Sequence, residues 1–546
     1  MKKRLLSALS FLTLTFITSS GSAQDNSLFR HISPDANNIY RINLGSIMSK
    51  VNLADLMSRM PAPKNLNAAD QHLMEFLKDP SSSGVDFKSD MLLTYTTKDL
   101  MDSASYTTVA MHLTDSSKFR AMLRKQMHGI RITRYPDKSY SAFKDKMAVA
   151  WNNELAVIVT VKPSVTDAMA QAGAMGKMDD QAKKGGSPKP ASPAHAATVT
   201  PMCLAALKGW ALPAYTEDPA FKATFSSDAD IQMSMQKTTN YLSLFKKFIP
   251  SKVLGGLNLD ALFIHKNSYA SIWFENGRIR MQSTGMLMPD VAQDLAKFTP
   301  PDINPDLFAR IPKGDLLAVM SMRLNMHVLG YMLHRLGVYD KLDSALSTKN
   351  VSLKDFGKAF KGDFLLAAIM SPRTDSFQRP KPAIYLVSSI GDSSALHRVG
   401  QLLMSAKDST GDDSTGKKAT ASSKIKNLYA MKNNILVFSG DKNMADGYFE
   451  NTERRSPDFL SDGMKQNQTY VWIDIHAIVN SFMGPVQPDQ GNKKMKMMNG
   501  MHSLDKLIFS KGLTQNGETT GYFELSVTNK DQNILKTVID MIPAAK

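Results

Sequence analysis

The feature that most constrains this chain is that it repeats itself. Leu28-Phe29-Arg30-His31-Ile32-Ser33-Pro34-Asp35 is answered by Leu307-Phe308-Ala309-Arg310-Ile311-Pro312-Lys313-Gly314-Asp315, each ahead of a strand-like stretch and then a helix. Gly84, Phe87, Lys88, Asp90, Leu92 and Leu93 return at identical spacing as Gly357, Phe360, Lys361, Asp363, Leu365 and Leu366. Asp115-Ser116-Ser117 matches Asp392-Ser393-Ser394, each opening a helix, where an Asp or Ser accepts hydrogen bonds from the free amides of the first turn and implies no catalytic serine. The Asn pairs of Ala150-Trp151-Asn152-Asn153-Glu154-Leu155 and Ala430-Met431-Lys432-Asn433-Asn434-Ile435 separate two apolar strands, and Asn tolerates positive φ in hairpin turns. Asn276-Gly277 and Asn516-Gly517 are further hairpin signals, followed by helices expected over about 289–298 and 531–542.

Landmarks in one order make tandem duplication the simplest account. The first copy is placed at 24–300 and the second at 307–546, joined by the short Pro-rich stretch 301–306, whose prolines make it stiff. Strands such as Asp230–Met235 and Tyr470–Ile475 alternate in polarity and are interleaved with helical stretches. Hairpin connections imply antiparallel sheet with helices covering it. The fold class expected is therefore α+β, as two tandem degenerate copies of one unit. Residues 172–201, 405–423 and 485–496 lack an apolar face and read as flexible insertions.

The beginning of the chain gives an address. Lys2, Lys3 and Arg4 precede an apolar run from Leu5 to Ile17, and small residues end at Gly21-Ser22-Ala23, the pattern of a signal peptide over 1–23 cleaved before Gln24. The run is well short of the roughly 20 residues that cross a bilayer. No cysteine lies near the cleavage point, so the expectation is an exported, periplasmic or envelope-associated protein that is not lipid-anchored, with no transmembrane segment in the mature chain. Cys203 is the only cysteine of the 546 residues, so internal disulfides are excluded; its apolar neighbours predict an inert buried thiol. Without the leader, 63 basic residues stand against 50 acidic ones, a charge of +13. The lysines are spread along the chain, which describes a solvated surface, and export argues against nucleic acid.

Motifs for chemistry are sparse. Gly411-Asp412-Asp413-Ser414-Thr415-Gly416-Lys417 imitates a phosphate-binding loop, but Lys418 stands where a magnesium-holding hydroxyl belongs, and the stretch lies in an insertion rather than between a strand and a helix. No nucleophile elbow, His-Glu-x-x-His motif or Cys-x-x-Cys pair occurs. His327 and His334 would share a helix face without a third ligand, and the pairs Asp179-Asp180 and Asp412-Asp413 lack a rigid frame. The 35 methionines invite a Cu(I) reading, best at Met495, Met497, Met498 and Met501 beside His502, more weakly at Met169, Met175 and Met178. Interleaved lysines argue against it, and Met233, Met235 and Met322 read as core filler.

The leader, the Pro-Asp openings and the Gly-x-x-Phe-Lys-x-Asp-x-Leu-Leu element together resemble the Bacteroidota family of exported proteins catalogued as domain of unknown function 4836. That resemblance covers nearly the whole mature chain and implies no established activity, cofactor or site residue. The function expected is a non-catalytic binding or structural role, with an envelope protein or glycan as the partner class. The alternatives are a hydrolase whose site is assembled from distant residues and methionine-based Cu(I) handling. No residue is assigned as catalytic, cofactor-binding or metal-binding.

Overall fold

Alternating apolar residues and short polar turns favour antiparallel pairing. Every strand pair whose register is defined in the computed structural model is antiparallel. The structure describes residues 26–51, 80–96, 105–127, 129–144, 147–162, 193–236, 265–370, 382–405, 429–440, 442–455, 458–483, 500–512 and 514–541. They divide into two compact units: those up to 253, 267–281 and from 530 onward form unit 1, and those of 254–266 and 282–529 form unit 2. The stretch 301–306 lies within unit 2.

Unit 1 contains β1 (Asn38–Asn43), β2 (Asp90–Thr96), β3 (Ser105–His112), β4 (Arg131–Arg134), β5 (Tyr140–Lys144), β6 (Met147–Trp151), β7 (Leu155–Lys162), β8 (Ile231–Gln236) and β9 (His265–Glu275, from Asn267 on). They pair in the order β9-β8-β1-β2-β3-β7-β6-β5-β4. Helix α1 (Ser116–Gln126) packs Phe119 and Leu123 on Val149, Trp151 and Ala156. Trp151 stacks on Tyr140 and meets Phe119 edge-on. As expected, Asp115 caps this helix, accepting from Ser117 N at 2.8 Å and Lys118 N at 3.0 Å.

Unit 2 takes the end of β10 (Arg278–Leu287) together with β11 (Asp315–Arg323), β12 (Phe360–Met370), β13 (Pro382–Ile390), β14 (Tyr429–Lys432), β15 (Ile435–Ser439), β16 (Asn467–Asp474), β17 (Leu504–Gly512) and β18 (Glu518–Val527). The order is β18-β17-β16-β11-β12-β13-β15-β14. Its main core lies on one side of the sheet. There Val319, Leu365, Ala367, Val387, Val437 and Trp472 pack with Phe308, Tyr448 and Met464 from α2 (Asp306–Ala309), α3 (Lys442–Glu450) and α4 (Asp458–Gln466).

Each unit spends a buried arginine on the same task. Arg41 on β1 donates Nη1 to Phe225 O at 2.6 Å, the last residue of the helix Pro219–Phe225, and Nε to Asp90 at 2.8 Å. Arg323 on β11 donates Nη1 to Lys465 O at 2.5 Å near the end of α4, with Pro301 O and Asp302 as its other partners. A guanidinium at a helix C-terminus satisfies carbonyls that the helix leaves unpaired and offsets its negative end. Asp230, 1 % exposed, joins three elements of unit 1: it accepts from Lys50 Nζ at 2.8 Å, Ser46 Oγ at 2.5 Å and Phe274 N at 2.6 Å.

Several local expectations change. Asn433 and Asn434 do take positive φ, 51° and 56°, as do Asn516 and Gly517, 51° and 78°. Asn152 instead turns the chain through its side chain, accepting from Glu154 N and Leu155 N. Gly84 has φ 75° and no room for a Cβ beside Asp115 O, whereas Gly357 sits inside the helix Leu353–Ala359 with open space, so equal spacing does not mean equal use. Residues 193–201 open the helix Pro193–Lys208, where an Ala-rich run overcomes the polarity that suggested a flexible insertion. The two late helices are shorter than expected, Pro289–Leu295 and Ile534–Met541.

Replacing Asp230 by Ala leaves Lys50 and the Phe274 amide without their shared acceptor. Unit 1 should lose on the order of 3 kcal/mol, read as a lower urea midpoint; an unchanged midpoint contradicts the tie.

Candidate functional site

The residues singled out for chemistry do not converge. Cys203 is buried, its thiol donating to Val157 O at 3.1 Å, and burial pushes its pKa up to about 12. His327 and His334 lie on the helix His327–Arg335, and the ring of His334 stacks on Tyr339 at 3.8 Å. His502 faces Asn480 Oδ1 at 3.0 Å, and its carbonyl pairs with His476 Nδ1 at 3.1 Å. Among the described residues no three His, Cys, Asp or Glu side chains gather as metal ligands. Residues 1–23, Met169, Met175, Met178, the pair Asp179-Asp180, the stretch from Gly411 to Lys418, Met495, Met497 and Met498 lie outside the described residues. Met235, expected in the core, is 45 % exposed.

A surface built by strand parity stands out instead. In an antiparallel sheet with one covered face, the uncovered positions are normally polar. On β12 and β13 of unit 2, Leu365, Ala367, Ala383, Tyr385 and Val387 point into the core, and the alternate positions Leu366, Ile384 and Leu386 are apolar too, at 37 %, 50 % and 41 % exposure. Strand register lines these up. Leu386 faces Leu366, Leu366 faces Met320, Met320 faces Val471, and Val471 faces Phe509, so one apolar row crosses β13, β12, β11, β16 and β17 and runs on to Phe523 of β18 at one side and to Phe438 of β15 at the other, where Phe438 packs against a second buried core. Met320 and Phe509 are 37 % and 40 % exposed. A parallel row two residues along runs Ile384, Ala368, Ala318, Ile473, Leu507. Two alanines in its middle make it low beside Met320 and Leu366. Exposed apolar side chains scattered singly are ordinary, but a contiguous set marks a contact surface.

Electrostatics distinguish the β17 part of the row. Lys511 follows Phe509 at the same parity of β17, the intervening Ser510 being buried on the core side. Burial pulls Lys511 below the ordinary lysine range, and among the described residues it makes no ion pair. His265, also in unit 2, is pulled down by burial first and by the charge of Lys511 second. Its Nε2 lies 3.0 Å from Thr519 Oγ1, and the Thr519 hydroxyl donates to Gly285 O at 3.3 Å. With that hydroxyl proton committed, Thr519 oxygen accepts from Nε2–H.

No family model matches the chain, and no curated protein matches it. Among solved structures it is similar to crystal form IV of TP0453, with a TM-score of 0.28 and 8 % identity over 49 % of this chain and 83 % of that one. Crystal form III of the same protein gives 0.27 and 8 % over 52 % and 90 %. Likenesses this low carry no argument about fold or function.

The sequence did hold a signal for the row. Leu316–Met320, Phe364–Met370 and Ala383–Val387 are unbroken apolar runs, which a sheet covered on one side does not require.

The same description fixes the behaviour of Cys203. With its pKa near 12 the thiol stays protonated from pH 7 to pH 9, so iodoacetamide should not label the native chain at either pH, and labelling should appear only in denaturant. Native labelling that rises between those pH values contradicts a buried thiol.

Proposed function

We propose that this chain is an exported binding protein without chemistry of its own, built as two copies of one α+β unit, whose ligand surface is the exposed apolar patch on the side of the unit 2 sheet away from its main core, beside the part of that side that the helices Leu353–Ala359 and Ser393–Ser405 cover. The observation that carries the reading is the apolar row Leu386, Leu366, Met320, Val471, Phe509, formed at positions where an antiparallel strand ordinarily places polar groups. The row is aliphatic and aromatic, so it suits an apolar ligand better than a glycan, which needs hydrogen-bonding partners.

The duplication draws support from pairing order. In unit 1, β1 lies between β8 and β2, followed by β3, β7 and β6; in unit 2, β11 lies between β16 and β12, followed by β13, β15 and β14. The matched residues Leu28 with Leu307, Phe29 with Phe308, and Ile32 with Ile311 are all buried ahead of those strands. Export rests on the leader pattern of residues 1–23. No helix among the described residues is long and apolar enough to cross a membrane.

The test uses N-phenyl-1-naphthylamine, an uncharged probe that brightens in apolar surroundings. The full chain should bind it, and the substitutions Met320→Asp and Leu366→Asp should each weaken binding at least tenfold. Both sites are part-exposed, so the cost in stability is about 1 kcal/mol and the thermal midpoint moves only a few degrees. Full-strength binding by both variants contradicts the assignment.

A further inference from the structure

We infer that unit 1 carries a second contact surface, a basic one built by α1 and the β4–β5 hairpin, and that its partner is the headgroup layer of a membrane containing anionic phospholipid. The inference does not rest on the apolar patch, which belongs to unit 2. Positive charge is not spread evenly along the chain. From Ser116 to Lys144, the cations Lys118, Arg120, Arg124, Lys125, Arg131, Arg134, Lys138 and Lys144 stand against Asp137 alone, so this stretch holds +7 of the +13 carried without the leader. Lys118, Arg124, Lys125, Arg134 and Lys138 are exposed. Among the described residues Lys118, Arg120, Arg124, Arg134 and Lys138 make no ion pair. The flanking Asp115 is engaged by the amides that it caps.

Packing gathers these charges on one side of the sheet. Phe119 and Leu123 turn α1 onto Trp151, which stacks on Tyr140. Arg134 faces Tyr140 in register, and the Arg120 guanidinium lies 5.4 Å from the centre of the same ring. With 3.6 residues per turn, Lys118 and Lys125 line one flank of α1 and Arg120 and Arg124 the other. The outward line between the flanks holds Ser117 and Ala121, both exposed and small. Small residues there let the helix lie close to a plane while the long side chains reach it from both flanks. A linear polyanion would need a single file of cations; two flanks and a hairpin match a charged plane. No large apolar side chain is exposed between Ser116 and Lys144, so the contact is electrostatic, without insertion. Local stability does not account for the charges. Arg124 and Lys125 suit the negative end of the helix, but Lys118 stands in its first turn, where a cation is unfavourable. Arg120 and Arg124, four residues apart, form a like-charged pair that weakens a helix.

The experiment sediments the full chain with vesicles of phosphatidylcholine alone and of phosphatidylcholine with about 30 % phosphatidylglycerol. The unmodified chain should bind the mixed vesicles roughly tenfold or more tightly over the neutral ones, and raising salt from about 0.1 M to about 0.5 M should abolish the preference. The combined substitutions Arg120→Gln, Arg124→Gln and Arg134→Gln should remove it, whereas Arg120→Lys, Arg124→Lys and Arg134→Lys together should keep it. Neutralising three exposed lysines of unit 2, by Lys349→Gln, Lys354→Gln and Lys358→Gln, should leave it in place. Equal binding to both vesicles, or a preference that survives the arginine-to-glutamine changes, overturns the inference. Loss of preference in the unit 2 lysine variant does so too, because net charge rather than this surface would then be the cause. A chain that ignores the vesicles but is held on heparin through the three arginines overturns the membrane assignment in favour of an anionic polysaccharide. Binding of N-phenyl-1-naphthylamine should be the same in every arginine variant, so failure here leaves the apolar patch standing.

Discussion

Strand parity is the constraint on which the rest depends. In a hydrogen-bonded antiparallel sheet, successive side chains go to opposite faces, so a residue cannot change sides without shifting the register of its whole strand. In unit 2 the register that buries Val319, Leu365, Tyr385 and Trp472 therefore obliges Met320, Leu366, Leu386 and Val471 to line the other face. Burial of apolar area contributes about 25 cal/mol per Å², and the main core collects that contribution with three helices. The other side is buried around Ile390 and Leu436 but leaves Met320, Leu366, Ile384, Leu386 and Phe509 in contact with water, a loss that the fold tolerates because the register is fixed from behind.

What holds the register is polar as much as apolar. Arg41 and Arg323 each fasten the end of a helix to an interior strand of its sheet, two guanidiniums reaching the same kind of target from different strand positions. Arg41 is paired with Asp90, while the matching Asp363 accepts instead from Ser389 Oγ at 2.7 Å and Asn304 N at 3.2 Å. The two units thus wire their buried hydrogen bonds differently while sharing a strand order. Buried polar groups that are fully partnered specify one arrangement, because every alternative leaves some of them unsatisfied.

The α+β class, the antiparallel pairing and the helix caps at Asp115 and Asp392 were legible because each is dictated locally, by alternation, by Asn-Gly turns and by a carboxylate before a helix. The caps formed as expected, and both carboxyl groups lie below the usual range because backbone amides favour the charged form. The exposed apolar patch was not legible in the same way. An apolar run such as Phe364-Leu365-Leu366-Ala367-Ala368-Ile369 fits a strand buried on both faces as well as one exposed on one, and only the exposure of Leu366 distinguishes them. Lys511 was hidden for a similar reason. Nothing in Phe509-Ser510-Lys511 separates a desolvated lysine from the solvated ones that make up most of the chain's charge.

The most direct measurement is the NMR spectrum of the full chain with carbon-13 in its methionine methyl groups, recorded as N-phenyl-1-naphthylamine is added. Met320 and Met322 share the uncovered parity of β11, and Met464 is buried in the core behind the same sheet. The account predicts that the signals of Met320 and Met322 shift in step with binding while Met464 stays in place. Binding that leaves Met320 unmoved would place the ligand elsewhere and contradict the account.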